Sequence, residues 1–229
     1  MLFADTAPGR GCDMRQRAPY VWFTLLAVLA GVVLCLAAGC GSAPKQQASL
    51  PGGKKAAVDP ISSFPEETAE GRPDINVATY RLSVGGLVTK PLSLSFIDIK
   101  ALPSVERFVK LPCVEGWTRA AVWKGPRLSD VLERAGVRKG ATTVVFASPG
   151  GYTTSLTLAD IKSTDPILAY DANGAPLPEK EGYPLRLVAP DKLGYKWIKW
   201  VISIKLIKGA YEGYWESRGY SNDAGAKGR

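Results

Sequence analysis

From Val77 to Pro190 no hydrophobic period lasts long. Every apolar run at strand or helix spacing is cut by Gly, Pro or a capping polar residue before the next begins, which confines the chain to short strands and short helices. Tyr80-Arg81-Leu82-Ser83-Val84 alternates as a strand and stops at Gly85-Gly86. Ser95-Phe96-Ile97-Asp98 carries a capping box for a short helix that ends before Pro103. Residues 105–111 read as a strand. Leu128, Val131, Leu132 and Ala135 recur at helical spacing, so 127–135 is an amphipathic helix stopped by Gly136. Residues 142–147 and 152–156 are strands, Thr157-Leu158-Ala159-Asp160 caps another short helix, Ala172-Asn173-Gly174 is a turn, and 185–188 is a strand stopped by Pro190. Ile198, Trp200, Ile202, Ile204 and Leu206 alternate with the residues between them, which predicts one long strand over 198–207 with a single apolar face. The sum is a single α+β domain over 77–220, mixed sheets with short helices, followed by a frayed tail over 221–229. No internal repeat is visible.

The N-terminal part has a different character. Residues 21–38 are an apolar run preceded by Arg15 and Arg17 and followed by small residues, the layout of a signal peptide over 1–39. Leu36-Ala37-Ala38-Gly39-Cys40 resembles a bacterial lipobox, with Ala37 where Leu is commoner; the resemblance implies cleavage before Cys40 and lipidation of its thiol. A single membrane-spanning anchor is the alternative for the same run. Met14 stands where a start for such a signal is typical. Either way the rest is expected outside the cytoplasmic membrane, in the bacterial cell envelope. Residues 40–76, rich in Pro, Gly, Ser, Ala, Lys and Glu, are expected to be a disordered tether.

The chain has no histidine, which removes the Ser-His-Asp triad, the Cys-His pair and every His-ligated metal site at once. Of four cysteines, Cys12 and Cys35 leave with the signal and Cys40 carries lipid, so Cys113 is the one thiol of the mature chain. The net charge of +8 fits either a soluble basic protein or a site for an anion such as a phosphate. There is no Lys/Arg run of the nucleic-acid kind, so no nucleic-acid partner is expected.

Three clusters are candidates for chemistry. Cys113, with Glu115, Trp117 and Arg119, follows a strand; it reads either as a buried inert thiol or as a metal ligand or nucleophile. Arg186, Lys192, Lys196 and Lys199 lie in and beside a loop with Gly194; they read either as a solvated basic loop or as a phosphate site. Tyr211, Tyr214, Trp215 and Tyr220 form either a substrate funnel or a packed lid.

Taken together, Cys113-Val114-Glu115-Gly116-Trp117, Phe146-Ala147-Ser148, and Pro184-Leu185-Arg186-Leu187-Val188-Ala189-Pro190 with Gly194-Tyr195-Lys196-Trp197-Ile198-Lys199 resemble the oxidoreductase molybdopterin-binding domain. Sulfite oxidases and the periplasmic methionine-sulfoxide-reductase catalytic subunit share that domain, and the Cys block is nearer the reductase branch. The resemblance implies a sulfite-oxidase-like fold, a molybdenum–molybdopterin cofactor and oxygen-atom transfer. It implies that Cys113 is the catalytic thiolate ligand of the metal. Ser148, Glu181, Arg186, Trp197, Ile198 and Lys199 are then cofactor-binding positions, with Glu181 standing where the reductase has Asn and needing a nearby cation to offset it. The implied partners are a small-molecule substrate, an electron-transfer protein of the membrane or periplasm, and the membrane itself through the lipid anchor. No counterpart of the reductase's N-terminal cofactor-contacting segment is legible. Arg15-Gln16-Arg17 is not a twin arginine, and a chain exported unfolded arrives without cofactor, so a cofactor-free binding module on the same fold is the alternative. A thiol redox enzyme is disfavoured because Cys113 has no resolving partner.

Overall fold

Strand pairing across long sequence separations carries the architecture. The computed structural model describes residues 44–226 apart from Pro51. In chain order the strands and helices are β1 (Gln46–Ser49), β2 (Lys55–Val58), β3 (Arg81–Gly86), β4 (Leu92–Ser95), α1 (Phe96–Ala101), β5 (Ser104–Pro112), β6 (Thr118–Pro126) and α2 (Leu128–Ala135). They continue with β7 (Thr143–Ala147), β8 (Thr153–Thr157), α3 (Leu158–Thr164), β9 (Ile167–Ala169), β10 (Asp171–Ala172), β11 (Ala175–Pro176), β12 (Arg186–Val188) and β13 (Ser203–Ile207). A five-stranded sheet runs β4-β3-β13-β7-β8, with β3 and β13 parallel and its other pairs antiparallel. A four-stranded sheet runs β11-β10-β6-β5, and β12 pairs with β9. This is the mixed-sheet, short-helix α+β arrangement expected.

Local rules explain the helices. Ser95 with Asp98 and Thr157 with Asp160 form complete capping boxes for α1 and α3. In α2, Leu128, Val131, Leu132 and Ala135 are the buried face, and Gly136 ends it at φ 71°. A side chain at Gly136 would have its Cβ 2.0 Å from Thr89 Oγ1, so close approach as well as backbone conformation selects Gly.

The predicted long strand over 198–207 is corrected: only Ser203–Ile207 is strand. Upstream, Gly194–Lys196 is a 3-10 turn and Trp200 adopts φ 54°. Ile198 accepts from the Leu187 amide and Val201 donates to Leu185, so this stretch brackets β12 instead of extending β13. Ile198, Trp200 and Val201 are all buried, so neighbouring positions face packed surroundings and alternation loses its meaning.

The tether and tail differ too. Within 40–76, Val58 and Phe64 are buried. Asp59 exchanges bonds with Ala120 through its amide and carboxylate (both 2.8 Å), and Lys180 Nζ donates to the carbonyls of Ser62 and Phe64. Phe64 packs edge-on to Trp123, with ring centroids 6.0 Å apart. The segment has few apolar residues, but two are seated in the core and its backbone is bonded to the sheet. Within 221–229, Ala224 is buried and accepts from the Leu193 amide. Among the described residues no helix is long and apolar enough to cross a membrane; residues 21–38 and Cys40 lie outside the described residues.

Phe64→Ala opens a cavity against Trp123, and it is expected to cost about 3–5 kcal/mol of unfolding free energy, read as a lower midpoint in urea.

Candidate functional site

The site is built outward from the turn of the β5–β6 hairpin. Nine residue pairs hold these strands in register from Ser104↔Pro126 to Pro112↔Thr118. At the tip the Cys113 amide donates to Trp117 O (2.9 Å) and Gly116, at φ 85°, donates to Cys113 O (3.2 Å). This turn presents Cys113, which is half-buried and is the free cysteine among the described residues. Burial pushes its thiol pKa up; the amides of Glu115 and Val114 oppose this, while the Glu67 and Glu115 carboxylates add to it. On its own the sulfur is therefore held as a thiol, the opposite of what a free nucleophile needs.

Cys113 opens into a cleft of about 170 Å³ that is open to solvent. Of the residues singled out in the sequence, Cys113, Glu181, Arg186, Trp197, Ile198 and Lys199 all line this cleft. Ser148 does not; it is buried and donates its hydroxyl to Glu70 (2.6 Å to Oε2), and Glu70 does line it. The remaining wall comes from segments read otherwise in the sequence. Glu67 and Glu70 come from the supposed tether, and Trp215 and Tyr220 come from the aromatic cluster. Tyr152, whose hydroxyl donates to Tyr195 O (2.6 Å), closes a further side. In the sequence Glu66-Glu67-Thr68-Ala69-Glu70 looks like solvated charge, and no local pattern distinguishes it from such.

The charges sort into structural and available ones. Arg186 Nη1 meets Glu181 Oε2 at 2.7 Å with both side chains buried, and the guanidinium lies 5.3 Å from the Trp123 ring centroid. The cation that a carboxylate at position 181 requires is thus Arg186. Arg186 Nε and Glu181 Oε1 are nonetheless buried without hydrogen-bond partners, as is Trp117 Nε1. Lys199 Nζ donates to Lys180 O at 2.7 Å, and its pKa is lowered to about 8, first by burial and then by Arg186. The other two cations of the basic loop are structural. Lys192 pairs with Asp160 (2.7 Å) and Asp223 (3.2 Å), and Lys196 pairs with Glu216 (2.5 Å) where neither side chain is exposed. These pairs fasten the C-terminal aromatic segment, in which Tyr214 stacks on Tyr152 at 5.5 Å. The segment is therefore part lid and part cleft wall. Among the described residues no group of three or more His, Cys, Asp or Glu side chains is placed to hold a metal ion.

Known proteins resemble this chain over most of its described residues. Residues 69–215 match the family model described as the oxidoreductase molybdopterin binding domain. The uncharacterized oxidoreductase YuiH of Bacillus subtilis is 40% identical over 146 residues, covering 63% of this chain and 74% of that protein. The protein-methionine-sulfoxide reductase catalytic subunit MsrP of Xanthomonas axonopodis pv. citri is 33% identical over 157 residues, covering 62% of this chain and 49% of the relative. The crystal structure of the sulfane dehydrogenase SoxCD from Paracoccus pantotrophus superposes with a TM-score of 0.60 at 24% identity. That match covers 74% of this chain and 52% of the other and shows a shared fold.

Lys199 titrates near 8 in the folded chain against 10.5 as its ordinary value. Between those values the unfolded state binds more protons, so this group makes stability rise with pH, and below about 8 its buried charge opposes folding. Lys199→Met is expected to raise the urea midpoint at pH 7 and to flatten the rise in stability between pH 8 and 10.5, measured against wild type at each pH.

Proposed function

The chain belongs to the oxidoreductase molybdopterin-binding domain family, and from that premise we propose that it is an exported molybdopterin-dependent oxidoreductase performing oxygen-atom transfer at a molybdenum centre held by Cys113. The observation that carries this reading is convergence. The hairpin tip at Cys113 lies more than sixty positions before Glu181, Arg186 and the Trp197-Ile198-Lys199 segment, yet all of them line one cleft. Three polar atoms buried in residues of that cleft wall, Trp117 Nε1, Arg186 Nε and Glu181 Oε1, lack partners, and a site awaiting a polar ligand leaves such atoms. The donor set fits as well: the protein offers one thiol and no supporting cluster of metal ligands among the described residues, as suits a metal whose other donors arrive with an organic cofactor. When bound, the cofactor supplies two-electron redox chemistry and the oxygen-transfer centre.

The chain's own residues have separable tasks. Cys113 provides the soft protein ligand; a nearby metal cation reverses the effect of burial and favours the thiolate. Arg186 and Lys199 supply positive charge for an anionic group, with Glu181 fixing the Arg186 side chain by its 2.7 Å bond. Trp197 and Ile198 line the same cleft. Ser148 acts through Glu70 and the residues at the cleft, because its hydroxyl is engaged there. The substrate is a small molecule and electrons pass to or from a partner of the envelope; the name of one relative gives protein methionine sulfoxide as its own target. Lipidation at Cys40 anchors the protein at the membrane.

Protein purified from its own envelope is expected to contain roughly stoichiometric molybdenum by elemental analysis together with a pterin fluorophore. Cys113→Ser removes the soft ligand, and its molybdenum content is expected to fall close to background. Wild-type protein that is free of metal in that preparation points instead to a cofactor-free binding module.

A further inference from the structure

The sheet that carries the Cys113 hairpin has an open edge. In the order β11-β10-β6-β5, β5 stands last, and its nine residues pair with β6 alone. On β6 the backbone groups of Ala120, Val122 and Lys124 point away from β5, toward Asp59, Asn173 and Tyr170. Residues directly opposite one another in an antiparallel ladder both turn inward or both turn outward. Lys110, Phe108 and Glu106, opposite those three in register, therefore turn their amides and carbonyls to the open edge. No backbone group among the described residues bonds to them there. Their side chains are exposed, Phe108 at 37%. The register runs unbroken along β5, with neither a bulge nor a proline before Pro112. An edge so long and regular is one that chains usually blunt or cover.

We propose that β5 pairs antiparallel with β5 of a second copy of this chain, about a two-fold axis through Phe108, and so joins two sheets into one. Charge complementarity selects this occupant and this register. With the axis at Phe108, Glu106 stands opposite Lys110 of the second copy, Lys110 stands opposite Glu106 of the second copy, and the two Phe108 rings meet at the centre. An axis at Glu106, Arg107 or Lys110 sets each of those charges against its own counterpart. An axis at Val109 leaves Glu106 opposite Pro112 and Lys110 opposite Phe108. The sequence of the edge is thus self-complementary about its middle residue, as an isologous contact requires. Glu106 also lies 3.3 Å from Lys124 on its own hairpin, so its carboxylate bridges the two cations from the exposed face.

The test is sedimentation velocity of the full chain extracted in detergent, over a dilution series. Wild type is expected to form a dimer that dissociates on dilution. Glu106→Lys sets like charges opposite each other twice across the axis, and is expected to weaken association about ten-fold; Lys110→Glu does the same with the other sign. Combining the two reversals restores opposite charges in the same register, and association is expected to return to within about two-fold of wild type. The axis also brings the two Phe108 Cα atoms to about 5.5 Å, inside the range a disulfide spans. Mild oxidation of intact envelopes is therefore expected to link the Phe108→Cys variant into dimers and to leave Ile97→Cys, at a position 80% exposed on α1, unlinked. The urea midpoint of each variant, taken at a concentration where wild type is monomeric, is expected to match wild type because these side chains are exposed. A wild type that stays monomeric at every concentration overturns the proposal. So do association that survives both single reversals, a double reversal no better than the singles, and equal linking of the Phe108→Cys and Ile97→Cys variants.

Discussion

Trp123 is where the parts of the molecule meet. It sits fully buried on β6, its Nε1 donating to Val109 O across the hairpin at 3.2 Å. Phe64 of the N-terminal segment packs against it edge-on at 6.0 Å, and Trp197 of the late loop does so at 5.8 Å. Arg186 places its guanidinium over the same ring. One indole thus ties together the hairpin that presents Cys113, the strap that supplies Glu67 and Glu70, and the strand and loop that supply the cations. Edge-to-face contacts fix orientation as well as burying area, so the relative placement of thiol and cations follows from one packed cluster.

Around that cluster the chain buries charge. Lys196–Glu216 and Arg186–Glu181 are both out of solvent, and pairs of this kind contribute little net stability because desolvation offsets their attraction. Their value is positional. Lys196, which also bonds Ser155 O and Asn222 Oδ1, holds the aromatic C-terminal segment on the cleft. Glu181 holds Arg186, leaving its Nε unused. Lys199 goes further, since its buried charge opposes folding at neutral pH. A cation kept at such a cost where a cleft opens suits the anion-binding role proposed for Lys199.

Some of this was legible in the sequence for local reasons. A capping box involves residues three apart, so Ser95 with Asp98 and Thr157 with Asp160 show themselves without tertiary information. The apolar stripe of α2 is visible because one face packs and the other is solvated. The same logic failed at β6 and at residues 198–201, whereas β7 and β12, also buried on both faces, show as apolar runs bounded by turn residues. In β6, Ala120 to Trp123 are all buried, no alternation marks the strand, and it was not foreseen. At residues 198–201 an apparent alternation was an accident of spacing, broken by the left-handed Trp200.

Sequence alone determined the chemistry on offer: a chain with no imidazole, one thiol beyond its N-terminal region, and blocks around Cys113, Arg186 and Lys199 in the order of a molybdopterin-binding domain. It could do so because residue identity and short-range order are properties of the chain itself. Tertiary structure decided which cations stay available, since Lys192 and Lys196 found acidic partners on α3 and in the C-terminal segment while Lys199 found a carbonyl beside the cleft. It also turned a polar, apolar-poor N-terminal stretch into a cleft wall. Those outcomes depend on contacts between residues tens to more than a hundred positions apart, Phe64 on Trp123 and Glu70 on Ser148 among them, and no local pattern in the chain encodes such distances.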